Sequence, residues 1–287
     1  KFMKKVNMAR NVFCFGLGFS SLALARRLIP KNWKVSGTIR GYKNNEVINK
    51  LKLQVFNYDG THATPEIFDA LDRATHILIS IPPQSTGDVV IEQFGQKIMK
   101  CKNLQWVGYI SSTGVYGDAK GGWVNETSAL NPVTSLSFRR IEVESSWLEY
   151  YRDYGLPVMI FRCAGIYGPG RNLLLSIKKG KARRINKKGL VFSRIHVDDL
   201  AQTLEASMER PQPGEIYNVS DDHPSPPRET VEFACGLLNQ ALPPLISYES
   251  AKLTETARGF YKANKKVSNK KIKKTRCKVT VPGLSGR

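Results

Sequence analysis

Residues 11–40 contain the residue types and the spacing that bind the phosphates of a dinucleotide. A short apolar run ends at Phe15, a Gly-x-Gly turn follows, and a helical stretch and a second apolar run come next. Gly16 permits the tight turn, and Gly18 lets the backbone approach a pyrophosphate at the N-terminus of the helix. Ser21 replaces the third glycine of this pattern, so we expect the helix and the first strand to pack slightly further apart.

The end of the second apolar run predicts which dinucleotide binds. An NAD site commonly has an acidic residue there, which accepts a hydrogen bond from the ribose 2′-hydroxyl. No Asp or Glu occurs between Gly18 and Asn45, whereas the guanidinium of Arg40 suits a 2′-phosphate. We therefore expect NADP(H) to be favoured over NAD(H), with a solvated surface arginine as the alternative. The expected cofactor-binding residues are Gly16, Gly18, Phe19, Ser20, Thr38, Arg40, Ile81, Pro82 and Ser111.

Apolar runs alternate with amphipathic stretches through the first 110 residues. The pattern predicts strands over 11–15, 33–38, 53–56, 76–81 and 104–110, and helices over 22–28, 46–51, 65–71 and 88–100. This alternation indicates an α/β protein with a doubly wound parallel sheet, the Rossmann arrangement. Pro82 follows the fourth strand, where such a sheet presents its ligand-binding edge.

Composition limits the class of protein and its compartment. The chain has 287 residues, of which 41% are hydrophobic, as in globular proteins with a large core. Five scattered cysteines without a C-x-x-C pair indicate a cytoplasmic location, and four histidines without ligand spacing predict no metal. Lys4 and Lys5 before an apolar stretch resemble a secretory signal, which we reject because cleavage would remove the glycine turn. No apolar run approaches the roughly 20 residues of a membrane span, so no membrane partner is expected.

The formal net charge of +20 is concentrated in two segments. Lys178–Arg194 contains eight basic residues and Lys262–Arg287 contains ten, and neither segment has an acidic one. The rest of the chain keeps 26 of the 44 basic side chains, against 24 acidic ones. Outside the two basic segments the chain is nearly neutral, which is not typical of a protein with an extended DNA-binding face. We expect nucleic acid to bind at most non-specifically, through the basic C-terminal segment.

Four further motifs occur in an order and spacing that resemble a known superfamily. They are S-S-T-G-V-Y-G-D from Ser111, Y-G-P-G-R-N from Tyr167, R-I-H-V-D-D from Arg194 and G-E-I-Y-N-V from Gly214. Over roughly residues 11–269 the chain resembles the extended short-chain dehydrogenases/reductases, which include the sugar-nucleotide epimerases and dehydratases. It looks most similar to an atypical bacterial branch of NAD(P)-dependent oxidoreductase or epimerase-like proteins.

The resemblance implies a Rossmann domain and a small C-terminal substrate lobe. The implied boundaries are 1–165 for the Rossmann domain, with 195–220 returning to it, and 166–194 and 221–287 for the lobe. It also implies that Ser112, with Thr113 beside it, binds the reacting oxygen. We interpret Asp198 and Asp199 as caps of a helix that begins near Leu200, rather than as paired general acids.

The proton relay of the superfamily is missing at its expected positions. Members pair the serine with a Tyr-x-x-x-Lys on the next helix, where a cation favours the phenolate needed for hydride transfer at a carbinol carbon. Here Leu136 stands at the tyrosine position and Arg140 at the lysine position. Arg140 can hold a ribose hydroxyl on the nicotinamide side, but it cannot share a proton near neutral pH.

Two interpretations follow from the missing relay. In the first, the protein is an NADP(H)-dependent oxidoreductase or epimerase-like enzyme in which Tyr116, Tyr167 or the pair Ser112 and Thr113 provides a substitute. In the second, it is a catalytically inactive NAD(P)-binding regulator or assembly factor. Both tyrosines lie in turns, where aromatic packing is a common alternative role.

The basic segment before R-I-H-V-D-D predicts the class of substrate. In relatives this region lies over the diphosphate of the sugar nucleotide, and here it contains Arg183 and Arg184, flanked by Arg171 and Arg194. Converging cations suit a small anionic, possibly nucleotide-linked substrate, with Tyr167 as a further contact. A solvated basic loop is the alternative, and the oligomeric state is left open.

Overall fold

The computed structural model describes residues 10–41 and 46–275. Lys4 and Lys5 of the signal-like stretch lie outside the described residues, as does the end of the basic C-terminal segment from Arg276 to Arg287. The strands of the described residues are β1 (Asn11–Phe15), β2 (Lys34–Ile39), β3 (Gln54–Asn57), β4 (His76–Ile79), β5 (Trp106–Ser112), β6 (Trp123–Val124), β7 (Val158–Cys163), β8 (Gly165–Tyr167), β9 (Arg184–Asn186), β10 (Arg194–His196), β11 (Ile216–Val219), β12 (Leu245–Ser247) and β13 (Lys266–Val267). The helices are α1 (Phe19–Leu28), α2 (Glu46–Lys50), α3 (Pro65–Arg73), α4 (Val89–Met99), α5 (Ser135–Tyr154), α6 (Leu173–Lys178), α7 (Val197–Glu209), α8 (Pro227–Leu237), α9 (Glu255–Lys262) and α10 (Lys270–Lys274), with 3₁₀ turns at Ile29–Lys31 and Thr113–Tyr116.

Seven strands form a parallel central sheet in the order β3-β2-β1-β4-β5-β7-β11. β1 pairs with β2 on one side and with β4 on the other, so the strand order reverses beside β1. In sheets of this kind, ligands bind beyond the carboxyl ends of the strands at the point of reversal. The predicted α/β fold with a doubly wound parallel sheet is therefore confirmed, and the reversal lies next to the glycine turn.

The described residues group into two compact units. The first contains the residues up to Ile110 together with Val143–Ile160 and Leu204–Glu215, and the second contains Ser111–Glu142, Phe161–Thr203 and the residues from Ile216 onward. The domain boundaries implied by the resemblance remain a prediction. Each unit is described separately below.

The first unit has an aromatic core between the sheet and α4. The rings of Phe13 and Phe15 contact each other at 4.9 Å, and Phe94 of α4 lies 5.0 Å from Phe15. α4 begins at a buried cap, because a carboxylate oxygen of Asp88 accepts hydrogen bonds from two amides of its first turn, at 2.7 and 3.1 Å. The other oxygen of Asp88 accepts from the indole of buried Trp147 at 3.4 Å. The predicted amphipathic helix is thus fixed at its start by a side chain that the apolar pattern does not reveal.

β1 and β2 approach each other unusually closely at Gly37. A Cβ atom at this position would lie 2.3 Å from the carbonyl oxygen of Cys14 and 3.0 Å from the Leu17 side chain. Since real Cβ atoms do not approach a backbone oxygen so closely, only glycine fits between the two strands here. The glycine keeps the turn after β1 beside the end of β2.

The start of α7 differs from the sequence prediction. β10 ends at His196 and the helix begins directly at Val197, so Asp198 and Asp199 lie inside its first turn. The prediction that they cap a helix beginning near Leu200 is wrong in register, because no loop separates strand and helix. Two carboxylates in a first turn still favour the helix through its dipole.

The second unit fixes the loop after Tyr116 with a buried lysine. The Lys265 ammonium, 7% exposed as a residue, donates to the carbonyl of Gly117 at 3.0 Å. The neighbouring Asn264 amide donates to Asp118 at 3.1 Å, and its carbonyl accepts from the Ala119 amide at 2.9 Å. Burial lowers the pKa of Lys265 to about 8, although the carboxylate of Asp118 opposes this effect.

The lowered pKa of Lys265 predicts a pH-dependent stability. Between about pH 8 and the ordinary lysine pKa of 10.5, the unfolded chain binds a proton that the folded chain has released, so the free energy of unfolding rises with pH. Below pH 8 both states are protonated, and the burial cost is present in full. Buried thiols with a raised pKa, such as Cys14, act in the opposite direction over the same range, so the lysine is isolated by comparing variants. Between pH 8 and pH 10, urea unfolding should show a more positive change in the free energy of unfolding for the wild type than for Lys265→Met, with exposed Lys262→Met matching the wild type. Equal changes in the wild type and Lys265→Met would contradict the prediction.

Candidate functional site

The glycine turn after β1 has the backbone shape that the sequence predicts. Gly16 has a φ of +92°, and a Cβ there would lie 2.9 Å from the Ser80 hydroxyl. Gly18 precedes α1, is exposed, and has no atom within 4 Å of its missing Cβ. The first position therefore needs glycine for backbone conformation, whereas the second leaves open space at the N-terminus of a ten-residue helix.

Thr38 supports the turn from behind. Its hydroxyl accepts a hydrogen bond from the Gly16 amide at 2.9 Å, and its carbonyl accepts from the Leu17 amide at 2.7 Å. Thr38 is almost completely buried, and its hydroxyl is used within the protein. Its predicted contact with a cofactor remains a prediction, but its observed bonds shape the turn.

Ser21 connects the helix to the sheet where a third glycine would otherwise stand. Its hydroxyl lies 3.1 Å from that of Ser80, which in turn donates towards the carbonyls of Phe15 and Gly16 at 3.0 and 2.8 Å. Burial raises the pKa of the Cys14 thiol to about 12, although a hydrogen bond with the Ser21 hydroxyl opposes this rise. β4 ends at Ile79, two residues before the predicted end. The wider helix-to-strand spacing expected from Ser21 remains a prediction.

A cavity of about 310 Å³ lies at the carboxyl ends of β1 to β4 in the first unit. Its volume falls at the lower end of the range of small-molecule sites. Six of the nine predicted cofactor-binding residues line it, namely Gly16, Gly18, Thr38, Arg40, Ile81 and Pro82. Phe19 and Ser20 are the first residues of α1 and do not line it, and Ser111 belongs to the second unit.

Arg40 and Asp59 give the cavity one cation and one anion. Arg40 is exposed and lines the wall, and no acidic side chain of the described residues forms an ion pair with it. Asp59 follows β3, and its carboxylate accepts from the amide and hydroxyl of Thr61 at 2.8 and 2.6 Å, which lowers its pKa. Asp59 lies beyond the stretch from Gly18 to Asn45 that contains no acid. It comes two residues after β3, and because parallel neighbours end at the same sheet edge, this position could have indicated it.

In the second unit, Ser112 caps the turn that contains the other catalytic candidates. Its hydroxyl accepts from the Gly114 amide at 3.1 Å and so begins the 3₁₀ turn Thr113–Tyr116. Ser112 is half-buried and Thr113 is buried. The hydroxyl of Ser112 can still accept or donate a second hydrogen bond, so its implied role at a reacting oxygen remains a prediction.

Tyr116 is bound into a buried polar network. Its phenol donates to the amide oxygen of Asn218 at 2.7 Å and accepts from the Arg162 guanidinium at 3.0 Å. That guanidinium also stacks over the ring at 5.1 Å from its centre. Burial raises the pKa of the phenol, although Arg162 opposes the shift. A neutral phenol with both hydrogen-bonding roles in use favours the packing role of Tyr116 over the proton relay.

Leu136 and Arg140 occupy successive turns of α5. Leu136 is 36% exposed and offers no group that could carry a proton. Arg140 is half-buried. Burial raises the pKa of the Cys163 thiol to about 12, and the positive charge of Arg140 opposes this rise. The structure therefore provides a fixed positive charge at this position without a phenol beside it on the helix.

The predicted substrate residues of the second unit are largely committed to protein partners. The Arg184 guanidinium contacts Glu232 at 3.3 Å, and Arg183 donates to the carbonyl of Lys252. Arg194 donates to the Ser225 hydroxyl at 2.9 Å. The Tyr167 ring packs edge-on against His196 at 5.2 Å, and Arg171 follows in the same connection. Neighbouring oxygens accept hydrogen bonds from three of these arginines, and their convergence on an anion remains a prediction.

In residues 10–41 and 46–275, no cluster of three His, Cys, Asp or Glu side chains could hold a metal ion. None of the helices in this part of the chain is both long and apolar enough to span a membrane.

Comparison with known proteins agrees with this geometry. Residues 97–220 match the NAD dependent epimerase/dehydratase family. The chain is 40% identical to a functionally unknown conserved protein of known structure from Silicibacter pomeroyi, with a TM-score of 0.88 over 96% of this chain and 95% of that one. It is 28% identical over 228 residues to Protein YeeZ of Escherichia coli K12, spanning 75% of this chain and 80% of YeeZ.

A more distant structure shares the fold. UDP-glucuronic acid 4-epimerase from Bacillus cereus, solved in complex with NAD, is 16% identical and has a TM-score of 0.77 over 96% of this chain and 95% of that chain. The resemblance stated from the four motifs is thereby confirmed. Since the family match covers the stretch from α4 to Ser220 and the Silicibacter protein aligns over nearly the whole length, the chain belongs to the NAD dependent epimerase/dehydratase family.

Proposed function

We propose that the cavity at the carboxyl ends of β1 to β4 binds NADP(H) in preference to NAD(H). The residues fit such a ligand, because the space beside Gly18 is open and the turn is held in place by Thr38 and Ser80. The amides at the start of α1 would hold the pyrophosphate, and Arg40 would hold the 2′-phosphate. When bound, the nicotinamide would supply or accept a hydride.

The observation that carries the proposed preference is the state of Arg40. Its side chain is exposed at the cavity wall, and its charge is not neutralised by an ion pair with any described residue. The carboxylate of Asp59 is already oriented by Thr61. A guanidinium available in this way can bind a phosphate with two parallel hydrogen bonds.

Arg40→Ala is expected to remove the preference for NADPH. Hydrogen bonds to charged groups contribute about 1.5–3 kcal/mol, so NADPH affinity should fall about 10- to 100-fold while NADH affinity stays nearly constant. Titration of both nucleotides against intrinsic fluorescence or by calorimetry measures this. Arg26→Ala, an exposed arginine on α1 that does not line the cavity, serves as the matched control. Equal affinities of the wild type for NADPH and NADH would refute the role of Arg40.

The reaction proposed is that of an oxidoreductase or epimerase-like enzyme acting on a small anionic, nucleotide-linked substrate. Family membership supports this class of reaction, and Ser112 offers a hydroxyl that can bind the reacting oxygen. Arg140 would hold the ribose on the nicotinamide side, and Arg171 and Tyr167 would contact the substrate. The four described cysteines are free, which supports the proposed cytoplasmic location.

A second candidate is a protein that binds the dinucleotide without turning it over. It is favoured by Leu136 at the place of the phenol and by the buried hydrogen bonds of Tyr116. Incubation with NADPH or NADP⁺ and a panel of nucleoside diphosphate sugars separates the two candidates, with nicotinamide absorbance and proton NMR as readouts. Conversion that is lost in Ser112→Ala or Tyr167→Phe supports the enzyme. Tight NADPH binding with no conversion of any panel member supports the regulator.

A further inference from the structure

The first unit contains a second cavity, of about 420 Å³, at the opposite end of the strands that form the first. It is lined by Asn11 of β1, by Lys34 to Ser36 of β2 and by Gln54 of β3, at or near the amino ends of these strands. The dinucleotide cavity lies at the carboxyl ends of the same strands. The two cavities have no lining residue in common, so they are separate sites.

The second cavity combines an apolar wall with three cations. Leu51 and Leu53 contribute apolar surface, and Lys34, Lys52 and Arg73 contribute positive charge. The lining contains no acidic residue. The three cations are exposed, and none of them forms an ion pair with a described acidic side chain. Such a wall attracts a negative charge on a molecule whose body is apolar.

A buried hydroxyl lies at the same cavity. Ser36 is only 9% exposed, and its hydroxyl makes no hydrogen bond to another described residue. Lys34 and Ser36 point to the same face of β2, because side chains of a strand alternate. The Trp33 ring packs edge-on against His76 at 4.7 Å, and His76 lies on the opposite face of the sheet.

Lys52 has a backbone conformation that glycine adopts more readily. It follows α2 with a φ of +50°, and its amide and that of Leu53 donate to the Asn49 and Ile48 carbonyls at 3.1 and 3.2 Å. Glycine is the residue that usually closes a helix in this conformation, so replacing Lys52 by glycine removes the charge without straining the backbone.

We propose that this second cavity binds a small organic anion with an aromatic or aliphatic body, a site independent of the dinucleotide. The anion would lie among Lys34, Lys52 and Arg73 and accept a hydrogen bond from Ser36. Its apolar body would contact Leu51 and Leu53.

The test uses 8-anilinonaphthalene-1-sulfonate, an aromatic sulfonate that fluoresces on entering an apolar site, and neutral N-phenyl-1-naphthylamine as its uncharged counterpart. The full chain should bind the sulfonate at least tenfold more tightly than the neutral amine. Lys52→Gly removes the cation and suits the backbone, so it should weaken the sulfonate about tenfold without loss of stability. Lys34→Ala should do the same.

Two controls locate the binding. Exposed Lys102→Ala, outside both cavities, and Arg40→Ala, in the dinucleotide cavity, should leave sulfonate affinity unchanged within twofold. Equal affinity for the two probes would overturn the proposal, since the cations would then play no part. It is also overturned if affinity falls in Arg40→Ala and not in Lys52→Gly and Lys34→Ala, or if the sulfonate does not bind.

Discussion

A Gly37→Ala variant is expected to lose about 3 kcal/mol or more of its free energy of unfolding. The added methyl would meet the Cys14 carbonyl at 2.3 Å, and that oxygen belongs to the backbone of the adjacent strand. Extra atoms in a packed core typically cost 1–3 kcal/mol, and here no side chain can rotate to relieve the contact. Because folded proteins are stable by only about 5–15 kcal/mol, urea unfolding should show a strongly shifted midpoint.

The control for this variant is Gly236→Ala in α8. Its missing Cβ has no atom within 4 Å, and the residue is exposed. Alanine in an exposed helix should raise stability by about 0.5–1 kcal/mol. A Gly37→Ala variant as stable as Gly236→Ala would show that β1 and β2 do not approach as described.

The second large effect is expected in Arg162→Met, which should lose about 3 kcal/mol of stability. The change removes a charge-assisted hydrogen bond to Tyr116 and a cation–π contact in a buried site. It also leaves the Tyr116 phenol with one hydrogen-bonding role unfilled. Tyr116→Phe should lose about 1–2 kcal/mol for the related reason that Asn218 and Arg162 each lose a buried partner.

The pair of variants also separates the two roles considered for Tyr116. Chemical denaturation of Arg162→Met and Tyr116→Phe measures stability, and Arg152→Met, exposed on α5, should stay within about 0.5 kcal/mol of the wild type. If Tyr116→Phe keeps full stability and loses turnover, the phenol is a catalytic group and the packing interpretation is wrong.

The sequence was sufficient for the features that depend on local pattern. The bounds of β1 are as predicted, and the alternation of apolar and amphipathic stretches led to the parallel sheet. Gly16 and Gly18 could be assigned because a positive φ and an open helix start demand a particular residue type in a short motif.

The features that the sequence did not reveal depend on residues far apart in the chain. Tyr116 meets Arg162 and Asn218 only through the fold, and no spacing rule links these three positions. Arg184 is paired with Glu232, so the charge counted in the basic segment is reduced by an acid 48 residues away. A run of charges shows where basic residues are concentrated in the sequence. Ion pairs between distant segments decide which of these charges remain available to a ligand.

The hydroxyl of Ser80 holds the carbonyls of Phe15 and Gly16 without any ligand, and Thr38 holds the Gly16 amide. A dinucleotide would thus meet a surface that already has its bound shape, and little chain entropy would be lost on association. Encounter would then be limited by diffusion and orientation, without a slow folding step in the loop. Differences in affinity between nucleotides should consequently arise from differences in their dissociation rates.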